Sequence, residues 1–150
     1  VFTSLALLYG ALDRKRSPIE PALRSLVTVR VSQINQCAFC VDINSATLLK
    51  RGIAMDKVLA LQHWPTSTLF AERERVALEY AEAMTRLDQI VSDELFRRFG
   101  AHFDDDAVVG LTGLIAFLNM SSKFNAALAI PAQGFCPLAE RTEQNPGAAE

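Results

Sequence analysis

A chain of 150 residues, half of them hydrophobic and 21% charged, is long enough to bury one continuous core and shows no compositional break that would divide it. Fifteen basic against seventeen acidic residues leave a formal charge of −2, with no Lys/Arg stripe to track a phosphate backbone or an anionic bilayer; neither nucleic acid nor membrane is an expected partner. Three cysteines, two of them at CxxC spacing, fit a reducing compartment, the cytoplasm, better than a secreted disulfide framework.

Apolar residues recur at helical spacing along almost the whole chain, and strand-like alternation is not sustained, so an all-α domain is predicted over residues 1–130. The opening run Val1 to Tyr9 is too short to cross a bilayer and reads as a packed helix, about Phe2 to Leu12, running into Asp13-Arg14-Lys15-Arg16. No other stretch reaches spanning length without charges, and a soluble protein is expected. Ser17-Pro18-Ile19-Glu20 predicts the next start, with Ser17 as cap, Pro18 in the first turn and Glu20 reaching back. Leu23, Leu26, Val27, Val31 and Ile34 give this helix a broad apolar face up to Asn35-Gln36. Asn35 is the predicted cap of the following helix, Cys37 to Arg51, which ends at Gly52.

A short helix near Met55 to Leu61 leads into a predicted loop, His63-Trp64-Pro65-Thr66-Ser67, followed by a helix over about Glu72 to Leu87. Ser92-Asp93-Glu94-Leu95 caps a helix to about Phe99, broken by Gly100. Asp104-Asp105-Asp106 then supplies negative charge to the start of a long helix through Leu118 toward Leu128, apolar nearly all round and therefore expected in the core or at an oligomer interface. From Pro131 the periodicity fades, and residues 131–150 read as an irregular tail.

The chemistry of the chain concentrates at Cys37 and Cys40. Three positions apart in the first turn of a helix, both sulfurs can share one face and close into a disulfide. The free amides and positive dipole end there favour thiolate over thiol, lowering a cysteine pKa from its reference of about 8.5. A redox or peroxidatic pair is the natural reading. Two others stay open on the residues alone: buried structural cysteines, and half a zinc site. For the latter, the further ligands are limited to Cys136, His63 and His102, with no second CxxC or HxxxH pair. A thioredoxin-like site would need a strand before the helix, where this chain is helical in pattern.

The run Leu23-Arg24-Ser25-Leu26-Val27-Thr28-Val29-Arg30-Val31-Ser32-Gln33-Ile34-Asn35-Gln36-Cys37-Ala38-Phe39-Cys40-Val41-Asp42-Ile43-Asn44-Ser45 resembles the signature of the alkylhydroperoxidase D-like branch of the carboxymuconolactone decarboxylase family. Similarity continues in Trp64, in Leu69 to Leu78 and in the helix containing Asn119, covering roughly residues 17 to 130. The resemblance implies an all-α fold assembling into trimers or hexamers. It implies a dithiol peroxidase that takes a hydroperoxide substrate, is reset by a thiol or disulfide electron donor, and needs no cofactor or metal. It further implies that Cys40 attacks the peroxide and Cys37 resolves it, whereas the helix-terminus argument alone leans toward Cys37.

The departures from the family pattern are specific. A histidine four residues after the second cysteine and a glutamate twelve before the first would relay the thiol proton; here those positions hold Asn44 and Ser25. Neither is a general base at neutral pH, and such assistance is typically worth about two to four orders of magnitude in rate. Glu20, Asp42 and Glu74 read as solvated or capping carboxylates, His63 and His102 as surface or turn residues, and Cys136 as an incidental thiol. Phe39, Trp64, Phe70, Phe117 and Met120 fit a core more simply than a channel. A weak or altered peroxidase or a disulfide reductase leads this reading. A catalytically degenerate oligomeric module is the alternative, with decarboxylase or lactone chemistry and a zinc module behind it.

Overall fold

In a computed structural model, which describes residues 1–137 apart from the side chain of Phe2, the described residues form seven α-helices and one 3₁₀ turn, with no strand among them. They are α1 (Phe2–Leu12), α2 (Pro21–Ile34), α3 (Ala38–Lys50), α4 (Met55–Ala60), the 3₁₀ segment Leu61–Thr66, α5 (Glu72–Thr85), α6 (Asp93–Gly100) and α7 (Asp105–Ala127). The all-α expectation is met. Of the irregular tail expected over 131–150, residues 138–150 lie outside the described residues.

The hub is α2, which packs on α3, α5 and α7. Every residue from Leu23 to Ser32 is buried, five of them polar or charged. Leu23, Val27 and Val31 face one core cluster with α5, α6 and α7, whereas Leu26 and Val29 face a second with Leu48, Leu61, Trp64 and Leu78. The apolar pattern points to α7 as the all-round core helix, yet α7 leaves Val109 and Met120 exposed. The polar residues of α2 can be buried because each finds a partner. Thr28 and Ser32 hydroxyls donate to carbonyls one turn back, and Arg30 Nε donates to Glu82 at 2.6 Å. Arg24 donates to Asp13 and to the Ile19 carbonyl, both at 2.6 Å.

Over Asp105–Ala127, which includes the charged residues Asp105, Asp106 and Lys123, α7 is long and apolar enough to cross a membrane by length and composition; here it packs Leu111, Leu114, Ile115 and Leu118 into the core. Against it lies α1, brought close at Gly113, where an added Cβ would stand 3.1 Å from Leu12 Cδ2.

Several helix boundaries differ from the expected ones for local reasons. Ser17 does not cap α2: its hydroxyl accepts from the Ile19 amide, closing a separate turn, and the helix begins at Pro21 after Glu20. Asn35 caps no helix start. It closes the C-terminus of α2 in a Schellman turn, with Gln36 in the left-handed region at φ 54° and the Cys37 amide bonded to the Ser32 carbonyl at 3.1 Å. Gly52, at φ 88°, ends α3 as expected. Residues His63 to Thr66 are not an open loop but part of the 3₁₀ segment, held by Trp64 Nε1 donating to Glu82 at 2.8 Å. Ser92 and Asp104 cap α6 and α7 through their side chains, as their residue types require.

Candidate active site

The Schellman turn reverses the chain so that Cys37 becomes the N-cap of α3 and Cys40 lies in its first turn. The two sulfurs form a disulfide across a Cα–Cα distance of 5.2 Å, with both residues buried. The Cys40 amide donates to Cys37 Sγ at 3.2 Å, the capping bond that a serine would otherwise accept. From α7, Asn125 Nδ2 donates to Cys40 Sγ at 3.4 Å. Each sulfur therefore has its own donor, one from the main chain and one from a side chain.

Two more polar residues of α7 fix its register against this turn. Asn35 Nδ2 donates to Asn119 Oδ1 and to Ser122 Oγ, both at 2.8 Å, and Asn119 in turn donates to Thr85 Oγ1 at 3.2 Å. Asn119, Ser122 and Asn125 follow at three-residue spacing, so one face of α7 carries the seam that ends at the Cys40 sulfur.

The relay positions are occupied otherwise than the family pattern would have them. Asn44 Nδ2 donates to Ser32 Oγ at 3.2 Å, not to Ser25. Ser25 lies two turns away on α2, where its hydroxyl accepts from Arg51 Nη1 at 2.8 Å. Arg51 also pairs with Asp13 at 2.6 Å, so Ser25 belongs to the Asp13–Arg24–Arg51 network that ties the end of α1 to α2 and α3. Burial raises the Asp13 pKa, but the two arginines outweigh it and hold the carboxyl below its ordinary range.

A pocket of about 410 Å³ opens beside the disulfide, between α1, α7 and the first turn of α3. Its walls are apolar, from Leu5, Tyr9, Phe39, Phe117 and Ile130 among others, with Ser121 and Asn125 as polar contributors. Phe39 and Phe117 are thus pocket walls as well as packing residues, which periodicity alone does not distinguish. Trp64 and Phe70 lie in the core as expected, and Met120 is exposed. Nothing in the sequence singles out Asn125; the pairing of α7 with the CxxC turn is a tertiary contact between residues 85 positions apart.

Asp42, expected as a solvated or capping carboxylate, is buried, and its carboxylate accepts the amides of Gln133, Phe135 and Cys136 at 2.8, 3.1 and 2.7 Å. Burial raises its pKa, but those amides, with that of Gly134, outweigh it and lower the pKa overall. The segment after α7 is thereby strapped over α3, with Phe135 edge-on to Phe39 at 6.3 Å and Cys136 buried. A second Schellman turn, with Ala129 at φ 51°, directs the chain into this strap. Glu74 caps α5 by accepting the Ala71 amide at 2.9 Å, and Glu20 pairs with Arg73. His63 and His102 are exposed. Among the described residues, no group of three or more His, Cys, Asp or Glu stands close enough together to hold a metal ion.

Because the Asp42 pKa is lowered on folding, its anchoring is fully present at neutral pH and is lost as pH falls through the folded pKa, below the ordinary carboxylate value of about 3.9. Asp42→Ala is expected to free the strap. In oxidised protein, where Cys37 and Cys40 are linked, Cys136 labelling by a neutral thiol reagent should accelerate about a hundredfold, corresponding to a loss of about 3 kcal/mol of charge-assisted bonding. Unchanged labelling would show that the strap is held by other contacts.

An all-helical domain with a disulfide at a helix N-terminus and an apolar pocket beside it defines the class as a helical dithiol protein. The model of the carboxymuconolactone decarboxylase family matches residues 1–83, and the chain belongs to that family, which includes the alkylhydroperoxidase D-like proteins. It is 46% identical over 141 residues to the uncharacterized protein YnjA of Escherichia coli (strain K12), covering 94% of this chain and 78% of that one. A solved structure of a protein of unknown function from Agrobacterium tumefaciens, whose name connects it with the antioxidant defence protein AhpD, superposes with a TM-score of 0.82 at 26% identity, covering 87% of this chain and 89% of that one. The debrominase Bmp8, solved as a point variant in complex with 2,3,4-tribromopyrrole, shares the fold with a TM-score of 0.81 at 21% identity, over 94% of this chain and 74% of that one.

Proposed function

We propose that this protein is a dithiol redox enzyme, an alkylhydroperoxidase-like peroxidase or disulfide reductase working through Cys37 and Cys40. The observation that carries the reading is the disulfide itself, formed at a helix N-terminus with Asn125 joining the Cys40 sulfur to an apolar pocket. In the cycle, a Cys40 thiolate attacks the terminal oxygen of a hydroperoxide ROOH, the O–O bond breaks, and the departing alkoxide takes a proton from solvent to leave ROH. The Cys37 thiol then attacks the resulting sulfenic acid, its proton leaving with the hydroxyl as water as the disulfide closes. A dithiol or thiol donor returns two electrons and two protons by exchange through a mixed disulfide.

The reading extends to a cytoplasmic location, where such donors are reducing, and to a homo-oligomer, trimer or hexamer. With Asn44 and Ser25 at the relay positions the peroxidase step is slow by the measure of a base-assisted site. The buried state of both cysteines and the absence of a base at Asn44 favour the second reading, a degenerate oligomeric module. Adding one equivalent of an organic hydroperoxide to reduced protein and counting thiols separates them. The redox reading expects two of the three thiols to be lost and recovered on reduction; three thiols surviving excess hydroperoxide would leave the module.

A further inference from the structure

We infer that Asn125 selects the nucleophile of the pair: its side-chain amide holds Cys40, rather than Cys37, as the thiolate. The inference rests on the dithiol reading above. In the structure the competition between the sulfurs is explicit. Cys37 Sγ accepts the Cys40 main-chain amide at 3.2 Å, and Cys37 is the N-cap residue, where the helix dipole acts. Left to the backbone alone, the negative charge would settle on Cys37. That sulfur belongs to a residue only 1% exposed, against 6% for Cys40.

Asn125 supplies the opposing donor. Its Nδ2 donates to Cys40 Sγ at 3.4 Å, and the residue is itself part of the pocket wall, so the sulfur it favours is the one that a wall residue joins to the pocket. Asn44, one turn beyond Cys40 on α3, does not play this part, because it spends its amide on Ser32. The position of Asn125 is over-determined. About one and two turns earlier, Ser122 and Asn119 are clamped by Asn35, and the Asn125 carbonyl accepts the Ile130 amide at 3.1 Å in the turn that ends α7. A hydrogen bond to the charged form lowers a pKa without any proton being transferred, so an amide can assist here although it is no base. Asn125 touches a reacting atom and is in that sense a catalytic residue that shares no position with the missing relay.

The two thiols interact, so their protons leave in steps that belong to the pair, and the revealing quantity is where the first thiolate resides. Reduced protein is alkylated with limiting iodoacetamide near neutral pH, and fragment masses of the peptide holding both cysteines give the Cys40:Cys37 ratio. Wild type should label mainly at Cys40. Asn125→Leu, matched in branching and heavy-atom count and without a donor, should move the ratio about tenfold toward Cys37, the equivalent of about one pKa unit for a hydrogen bond to a charged group. Asn125→Asp should move it further, since a carboxylate repels thiolate, and Asn125→Gln, which keeps the amide, should recover part of the wild-type ratio. Circular dichroism and thermal unfolding establish that the variants are folded. Ratios unchanged in folded Leu and Asp variants, or wild type labelled mainly at Cys37, would overturn the inference. A shifted ratio in a protein that no hydroperoxide oxidises would support the hold of Asn125 on sulfur while removing the peroxidase reading.

Discussion

Changing either cysteine of the pair to serine is expected to end turnover, and the two variants should fail differently. Cys40→Ser removes the attacking sulfur, so hydroperoxide consumption should fall by several orders of magnitude, as loss of a nucleophile does in enzymes that depend on one. Cys37→Ser leaves the attack intact but removes the thiol that closes the 5.2 Å Cα–Cα bridge. One equivalent of hydroperoxide should then be consumed with Cys40 left as sulfenic acid, and no Cys37–Cys40 disulfide forms for a donor to reset. Full consumption by both single variants would rule out a cycle through this pair. Serine is the fitting replacement, since its hydroxyl can accept the Cys40 amide at the N-cap as the sulfur does, keeping the helix start intact.

The second large effect is expected in the core. Phe99 on α6 is fully buried, stacked on Tyr80 with ring centroids 4.1 Å apart and tilted against Phe103 at 4.7 Å. Through this trio α6 is fixed to α5 and to the chain entering α7. Phe99→Ala removes the whole ring, leaving a cavity that α6, only eight residues long, cannot close without disturbing the cluster it shares with Leu95 and Leu111. A loss of about 3–5 kcal/mol is expected, the range for aromatic truncation in cores, with about 0.5–1.5 of it from ring stacking. Chemical denaturation measures it; a loss below about 1 kcal/mol would mean that the cluster repacks freely. Such a loss would approach the whole stability of a marginal domain, so the variant is expected to populate unfolded chains at physiological temperature.

Much of this architecture is legible in the residues. Ser92, Asp104 and Gly52 act locally, each through its own side chain or lack of one, and the elements they bound lie where expected. The CxxC pair is legible for the same reason, as is its place in the first turn of a helix. What is not legible depends on contacts between distant segments. Asn35 has the right chemistry for an N-cap, yet its amide is used across the bundle on Asn119 and Ser122. Asp42 looks in sequence like any helix-surface acid, and only the amides of residues 133–136 distinguish it. Ser25 and Asn44 can be set against the cysteines by spacing, but their hydrogen bonds to Arg51 and Ser32 are choices among partners that spacing does not rank. Buried arginines such as Arg24 and Arg30 read as surface charge in any composition count, and their pairing with Asp13 and Glu82 emerges only in the folded chain.

Joint oxidation of Cys37 and Cys40 by a hydroperoxide is the event on which the proposed cycle depends. Peptide mapping of reduced protein after one equivalent of organic hydroperoxide tests this most directly. The prediction is a single linked species joining Cys37 to Cys40, with Cys136 still a free thiol beneath its strap. Unmodified cysteines throughout, or oxidation confined to Cys136, would contradict it.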